Sequence, residues 1–172
     1  YIEHVTDEFR EIYDIVKHTK PYTGLKVAIL NAWGRLRTWQ SHMVAHELPY
    51  KQIYSYLGIM EALSGASVDV SFISFDDIIH DGVPEGVDVI INAGDAGTSF
   101  SGGEVWKNET LITRIREFVY NGGGFVGVGE PTAVHHQGRF FQLGDILGVE
   151  REMGYSLSTD KYFTKELKEH FI

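Results

Sequence analysis

Arg35 and Arg37, flanked by Trp33 and Trp39, are the most unusual neighbours in this sequence. Guanidinium forks clamp carboxylates or phosphates, and indole faces stack on sugars or guanidinium groups. Arginine and tryptophan also anchor protein interfaces. The stretch therefore reads equally as a ligand contact through Arg35 or as an interface built on Trp33, Arg37 and Trp39. A second stretch, Gly94-Asp95-Ala96-Gly97-Thr98-Ser99, can cradle an anion or sugar hydroxyls with its backbone N–H groups. Asp95 can accept hydrogen bonds from hydroxyls, and a flexible turn is the plain alternative.

Gly127-Val128-Gly129-Glu130-Pro131 stands where hydrolase-like sheets turn sharply to present a nucleophile, as in G-x-S-x-G. Here Gly129 is at the centre, so the small residues of an elbow are present and nothing can attack. On turn chemistry alone the segment is a glycine turn. Gly127, Gly129 and Thr132 only partly match a dinucleotide fingerprint, which lacks its third glycine and falls on the wrong strand. His42 and His46 are spaced for one helix face, as zinc sites require, yet no third ligand follows at a familiar spacing. Glu47 cannot take the base position of H-E-x-x-H. Adjacent His135 and His136 point apart on any regular backbone, which leaves His135 as a single side chain able to face a ligand. No nucleophile has a base beside it. No metal site and no cofactor are expected, and the isolated domain reads as non-catalytic.

The elements that must position these residues alternate. Phe9, Ile12, Tyr13 and Val16 predict a lead-in helix ending before Pro21. Residues 26–30 form an apolar run expected for a strand covered on both faces. Pro49 suits the first turn of a helix with the stripe Ile53, Tyr56, Leu57, Met60 and Leu63, closed by Gly65. Strands are expected over 68–75 and 87–92, with one helical turn at 76–79 between them. Asn108 caps a helix with the stripe Leu111, Ile112, Ile115, Phe118 and Val119, which Asn121-Gly122-Gly123-Gly124 stops. A fourth strand covers 125–128, and a last helix runs through Phe141, Leu143, Ile146 and Leu147 to Gly148. Alternating strands and helices imply parallel pairing in a doubly wound, mostly parallel α/β sheet of three layers, flavodoxin-like in type. Functional loops of such sheets lie beyond the carboxyl ends of the strands. That edge gathers 31–38, 94–101 and 129–139. The organisation expected is a lead-in helix or linker over 1–24, an α/β domain over 25–155 and a C-terminal helical segment over 156–172.

Composition narrows the function classes. With 24 acidic and 15 basic residues, the net charge of −9 argues against a nucleic-acid partner. The absence of cysteine excludes disulfides, thiolate metal sites and a cysteine nucleophile. No apolar run is long enough for a bilayer, so no membrane partner is expected. No charged-then-apolar leader is visible, and a cytoplasmic location is expected. A start without Met and an end inside a helix-like pattern point to a piece of a longer protein.

Several runs together resemble one family: Lys26–Gly34, Pro49–Gln52, Phe72–Asp77, Ser101–Glu109, Gly127–Ala133 and Gln137–Leu143. They are similar to the central domain of bacterial lacto-N-biose/galacto-N-biose phosphorylases (1,3-β-galactosyl-N-acetylhexosamine phosphorylases) over roughly residues 20–155. The resemblance implies a class I glutamine-amidotransferase-like fold without its nucleophile, Gly129 standing where the cysteine would be. It also implies a parent with an amino-terminal barrel domain that carries the catalytic acid, which no residue here can be assigned. The parent reaction would be reversible phosphorolysis of a β-1,3-galactoside, giving galactose 1-phosphate and an N-acetylhexosamine. The implied partners are that barrel, phosphate and galactoside, and further copies in a homo-oligomer. On this reading Gly94–Thr98, Gly129, Glu130, Thr132, His135 and Arg35 are candidate phosphate or substrate contacts. Two other readings stay open: a freestanding amidotransferase-like sugar-binding or regulatory module, and a metal-dependent hydrolase using His42, His46 or His135.

Overall fold

The computed structural model describes residues 2–19, 24–31, 51–96 and 100–151, so the expectations for 32–50, 97–99 and 152–172 lie outside the described residues. Among them are Trp33, Arg35, Arg37, Trp39, His42, His46, Gly97, Thr98 and the segment 156–172. Strands β1 (Lys26–Asn31), β2 (Asp69–Ser74), β3 (Val89–Gly94) and β4 (Gly124–Gly129) form one sheet in the order β2-β1-β3-β4. Every neighbouring pair is parallel. The doubly wound α/β class is therefore observed.

Side chains alternate across the sheet, and each face has its own core. On one face Ala28, Leu30 and Ile90 are fully buried with Phe75, Ile78, Trp106, Leu111 and Ile115. These come from helices α3 (Phe75–Asp81) and α4 (Glu109–Tyr120) and from the short 3₁₀ turn Gly103–Lys107. Trp106 is completely buried and meets Phe75 and Phe125 edge-on, with ring centroids 5.4 and 6.4 Å away. On the other face Val27, Ile29, Ile91 and Ala93 pack against Ile59 of helix α2 (Lys51–Ser64), with Tyr56, Met60 and Leu63 alongside. Leu57 is exposed, a correction to the expected stripe, because Ile59 takes the inward position. Helix α1 (Ile2–His18) forms as its spacing predicts, with Phe9, Ile12, Tyr13 and Val16 exposed.

Local chemistry fixes the helix ends. Ser74 and Asp77 form a reciprocal capping box, so α3 starts directly where β2 stops and is longer than the single turn expected. Asn108 accepts from the Thr110 and Leu111 amides at 2.9 and 3.1 Å, as its cap role requires.

The C-terminal part differs from expectation. Residues 133–141 form a hairpin of β5 (Ala133–His136) and β6 (Arg139–Phe141), paired antiparallel. The expected helix shrinks to α5 (Gly144–Leu147). The cause lies in Gln137 and Gly138, both at positive φ (50° and 77°), as a two-residue hairpin turn of the primed kind demands. The buried Gln142 amide then fastens the hairpin, donating to the Val134 and Phe140 carbonyls at 2.6 and 3.1 Å.

Candidate functional site at the carboxyl edge of the sheet

Strands β3 and β4 end together: Gly94 and Gly129 are register partners at the carboxyl edge. The Glu130 amide donates to the Gly94 carbonyl at 2.9 Å, which carries the pairing one residue beyond the strands. Gly129 has φ +81°, and a Cβ there would stand 3.0 Å from the Gly94 oxygen and 3.2 Å from Ser55 Oγ. Only glycine meets both demands without strain.

This geometry decides what the elbow can do. In a nucleophile elbow the amide after the nucleophile completes the oxyanion hole, and a helix follows the turn. Here that amide belongs to Glu130 and is already bonded to Gly94. The chain then turns through Pro131 and Thr132 into a hairpin instead of a helix, which corrects the strand-to-helix elbow of the sequence reading. Acyl-transfer chemistry lacks both its nucleophile and its oxyanion donor at this position.

Glu130 works as a strut. One carboxylate oxygen accepts the Ala96 amide at 3.0 Å and the other accepts Arg151, whose guanidinium also lies 4.7 Å from the Phe140 ring centroid. The loop after β3, the turn after β4 and the end of the described chain are thereby tied at one carboxylate. The β3 loop is pinned from its far end too. Ser101 Oγ donates to the Asp95 carbonyl at 2.6 Å, while the Ser101 carbonyl accepts Asn92 Nδ2 at 3.1 Å and the Trp106 indole N–H. The aromatic core thus reaches the edge loop through a single carbonyl.

Thr132 is fully buried at φ 58°, an uncommon conformation for a β-branched residue, and its carbonyl accepts the Gln142 amide at 3.1 Å. Its hydroxyl oxygen and Asn92 Oδ1 are buried polar atoms without a hydrogen-bond partner among the described residues. On the α2 side, Tyr56 lies with its ring centroid 5.3 Å from that of Phe100, and burial raises its hydroxyl pKa above the ordinary value of 10.0. Ser55, Tyr56 and Arg151 therefore border the edge without having been anticipated there. Ser55 and Tyr56 sit within a helix, where periodicity reports only packing.

Among the sequence candidates, the structure brings together Gly94, Asp95, Ala96, Gly129 and Glu130. His135 is exposed on β5 and His136 is half-buried. Among the described residues no three His, Asp or Glu side chains gather in a group able to hold a metal ion. No described helix is long and apolar enough to cross a membrane.

Residues 26–172 match the family model described as the lacto-N-biose phosphorylase central domain. The chain belongs to this family. It is 53% identical over 173 residues to a 1,3-beta-galactosyl-N-acetylhexosamine phosphorylase of Lachnoclostridium phytofermentans, covering 100% of this chain and 24% of the relative. A phosphorylase of the same name from Bifidobacterium longum subsp. longum is 49% identical over 99% of the chain and 23% of its own length. A D-galactosyl-beta-1->4-L-rhamnose phosphorylase of L. phytofermentans is 38% identical over 96% of the chain and 23% of its own length. The chain spans about a quarter of the length of these curated relatives. As a lacto-N-biose phosphorylase central domain, it has a parallel sheet whose elbow is closed by Gly129 and braced by Glu130.

Proposed function

We propose that this chain is the non-catalytic central domain of a phosphorylase that cleaves β-1,3-linked galactosyl-N-acetylhexosamines, lacto-N-biose and galacto-N-biose, with phosphate. The products would be galactose 1-phosphate and the N-acetylhexosamine. The observation that carries this reading is the match of residues 26–172 to the central-domain family. The order of similarity supports an N-acetylhexosamine acceptor: 53% and 49% identity to relatives named for N-acetylhexosamines, against 38% to the one named for rhamnose.

Phosphorolysis with inversion needs one carboxylic acid to protonate the leaving oxygen, and phosphate in the place of water as nucleophile. It thus needs an acid and an anion pocket. The acid lies outside this domain. The domain's part is to cap the barrel that holds it, and to support assembly of a homo-oligomer. The Ala96 and Glu130 amides already donate within the domain. Arg35, Gly97, Thr98, Thr132 and His135 remain the candidates for phosphate or galactose contact, with Asp95 accepting a sugar hydroxyl and Glu130 holding the loop.

The test uses the full-length protein and lacto-N-biose phosphorolysis. An Asp95→Ala, Glu130→Ala double variant is expected to lose about 10-fold or more in kcat/KM, as removal of substrate-positioning groups does. Wild-type kinetic constants in that variant, with phosphate and disaccharide each varied, would refute the capping role.

A further inference from the structure

Helix α1 carries Phe9, Ile12, Tyr13 and Val16 in one stripe. In α4 the comparable stripe is inside the core, with Leu111, Ile112 and Ile115 at most 4% exposed. In α1 Phe9 is 66%, Tyr13 59% and Val16 59% exposed, and no described element of the domain covers them. Most helical stability in proteins comes from packing of an amphipathic face, and in this helix of 17 residues that face is uncovered. Its ion pairs, His4–Glu8 at 3.5 Å and Arg10–Asp7 at 3.0 Å, are exposed and contribute little. Such a helix needs a cover for its apolar face.

Two observations point to a cover outside this chain. The central-domain family model begins at Lys26, after α1, so the helix lies outside the matched α/β unit. Yet the L. phytofermentans relative aligns over 100% of the chain, α1 included, while only 24% of that relative is used. A polypeptide of the relatives' length holds a further three-quarters of its sequence as potential surface. We propose that α1 docks through Phe9, Ile12, Tyr13 and Val16 on an apolar surface of the domain preceding it in the full-length polypeptide. This rests on the reading of the chain as one domain of a longer phosphorylase.

Amide hydrogen exchange tests it, comparing full-length protein with the 172-residue chain at several concentrations. The amides of Phe9–Val16 are expected to exchange about 100-fold more slowly in the full-length protein, independently of concentration. A Phe9→Ser, Tyr13→Ser double variant of the full-length protein is expected to lose that protection while β1 and β3 keep theirs. Fast exchange in the full-length protein would overturn the proposal. Equal protection in the 172-residue chain would do the same, by placing the cover inside this chain, and protection rising with concentration would assign it to a second copy. Exchange reads out independently of turnover. An inactive full-length protein with α1 protected counts against the phosphorylase reading alone; an active one with α1 unprotected counts against the docking alone.

Discussion

The Glu130 carboxylate accepts the Ala96 amide at 3.0 Å, so the residue just after β4 holds the loop just after β3. Replacing Glu130 with Gln keeps the shape and removes the charge that binds Arg151. Because the two side chains are 32% and 53% exposed, the loss is expected to be about 1 kcal/mol or less. Urea unfolding of the two proteins measures it, and Ala96 amide exchange should accelerate in the variant.

Gly129→Cys puts back the residue type an amidotransferase elbow would use, and it is expected to fail twice. The Cβ would meet Gly94 O at 3.0 Å in a left-handed conformation, at a cost of about 1–3 kcal/mol. The oxyanion amide would still be engaged with Gly94. A lower melting temperature and no ammonia release from glutamine are the expected readings.

Trp106 joins the aromatic core to Ser101 at the edge loop. Trp106→Ala is expected to destabilise the domain by about 3–5 kcal/mol, since the indole is fully buried between Phe75 and Phe125. Denaturant unfolding reads the loss directly.

The Arg116 guanidinium grips Asp145 at 2.9 and 3.0 Å, tying α5 to α4. These hydrogen bonds hold the Asp145 carboxyl below its ordinary 3.8, and hydrogen bonds from Ser74 do the same for Asp77. A lowered folded pKa means that the unfolded chain takes up the proton first as pH falls. The contribution is therefore present at neutral pH and is lost below about pH 4, through the folded value. Asp145→Asn should lower stability at pH 7 by a few tenths to about 1 kcal/mol, because the pair is largely exposed, and the difference should shrink as pH falls toward about 2. Urea midpoints at the two pH values give the comparison.

The parts of this fold that show in the sequence are those whose pattern is local. Residues 27–30 of β1 are buried on both faces, so the strand reads as one unbroken apolar run. The α4 boundaries follow from the Asn108 cap and the glycine at 122, which takes φ 101°. The 3₁₀ turn of Trp106 is too short to have a period, and its burial depends on Phe75, far off in sequence. The hairpin was hidden because Gln137, not a glycine or asparagine, takes the first left-handed position of its turn. At the edge, convergence of the glycine-rich loops follows from topology alone. The Glu130 strut does not, because its partners Ala96 and Arg151 sit 34 and 21 residues away.

The central claim is that this domain serves a reaction whose acid lies elsewhere in the polypeptide. Its most direct test is to incubate the 172-residue chain and the full-length protein separately with lacto-N-biose and inorganic phosphate and to assay galactose 1-phosphate. The account predicts product from the full-length protein and none from the 172-residue chain at any concentration. Turnover by the 172-residue chain alone, or none by the full-length protein, would contradict it.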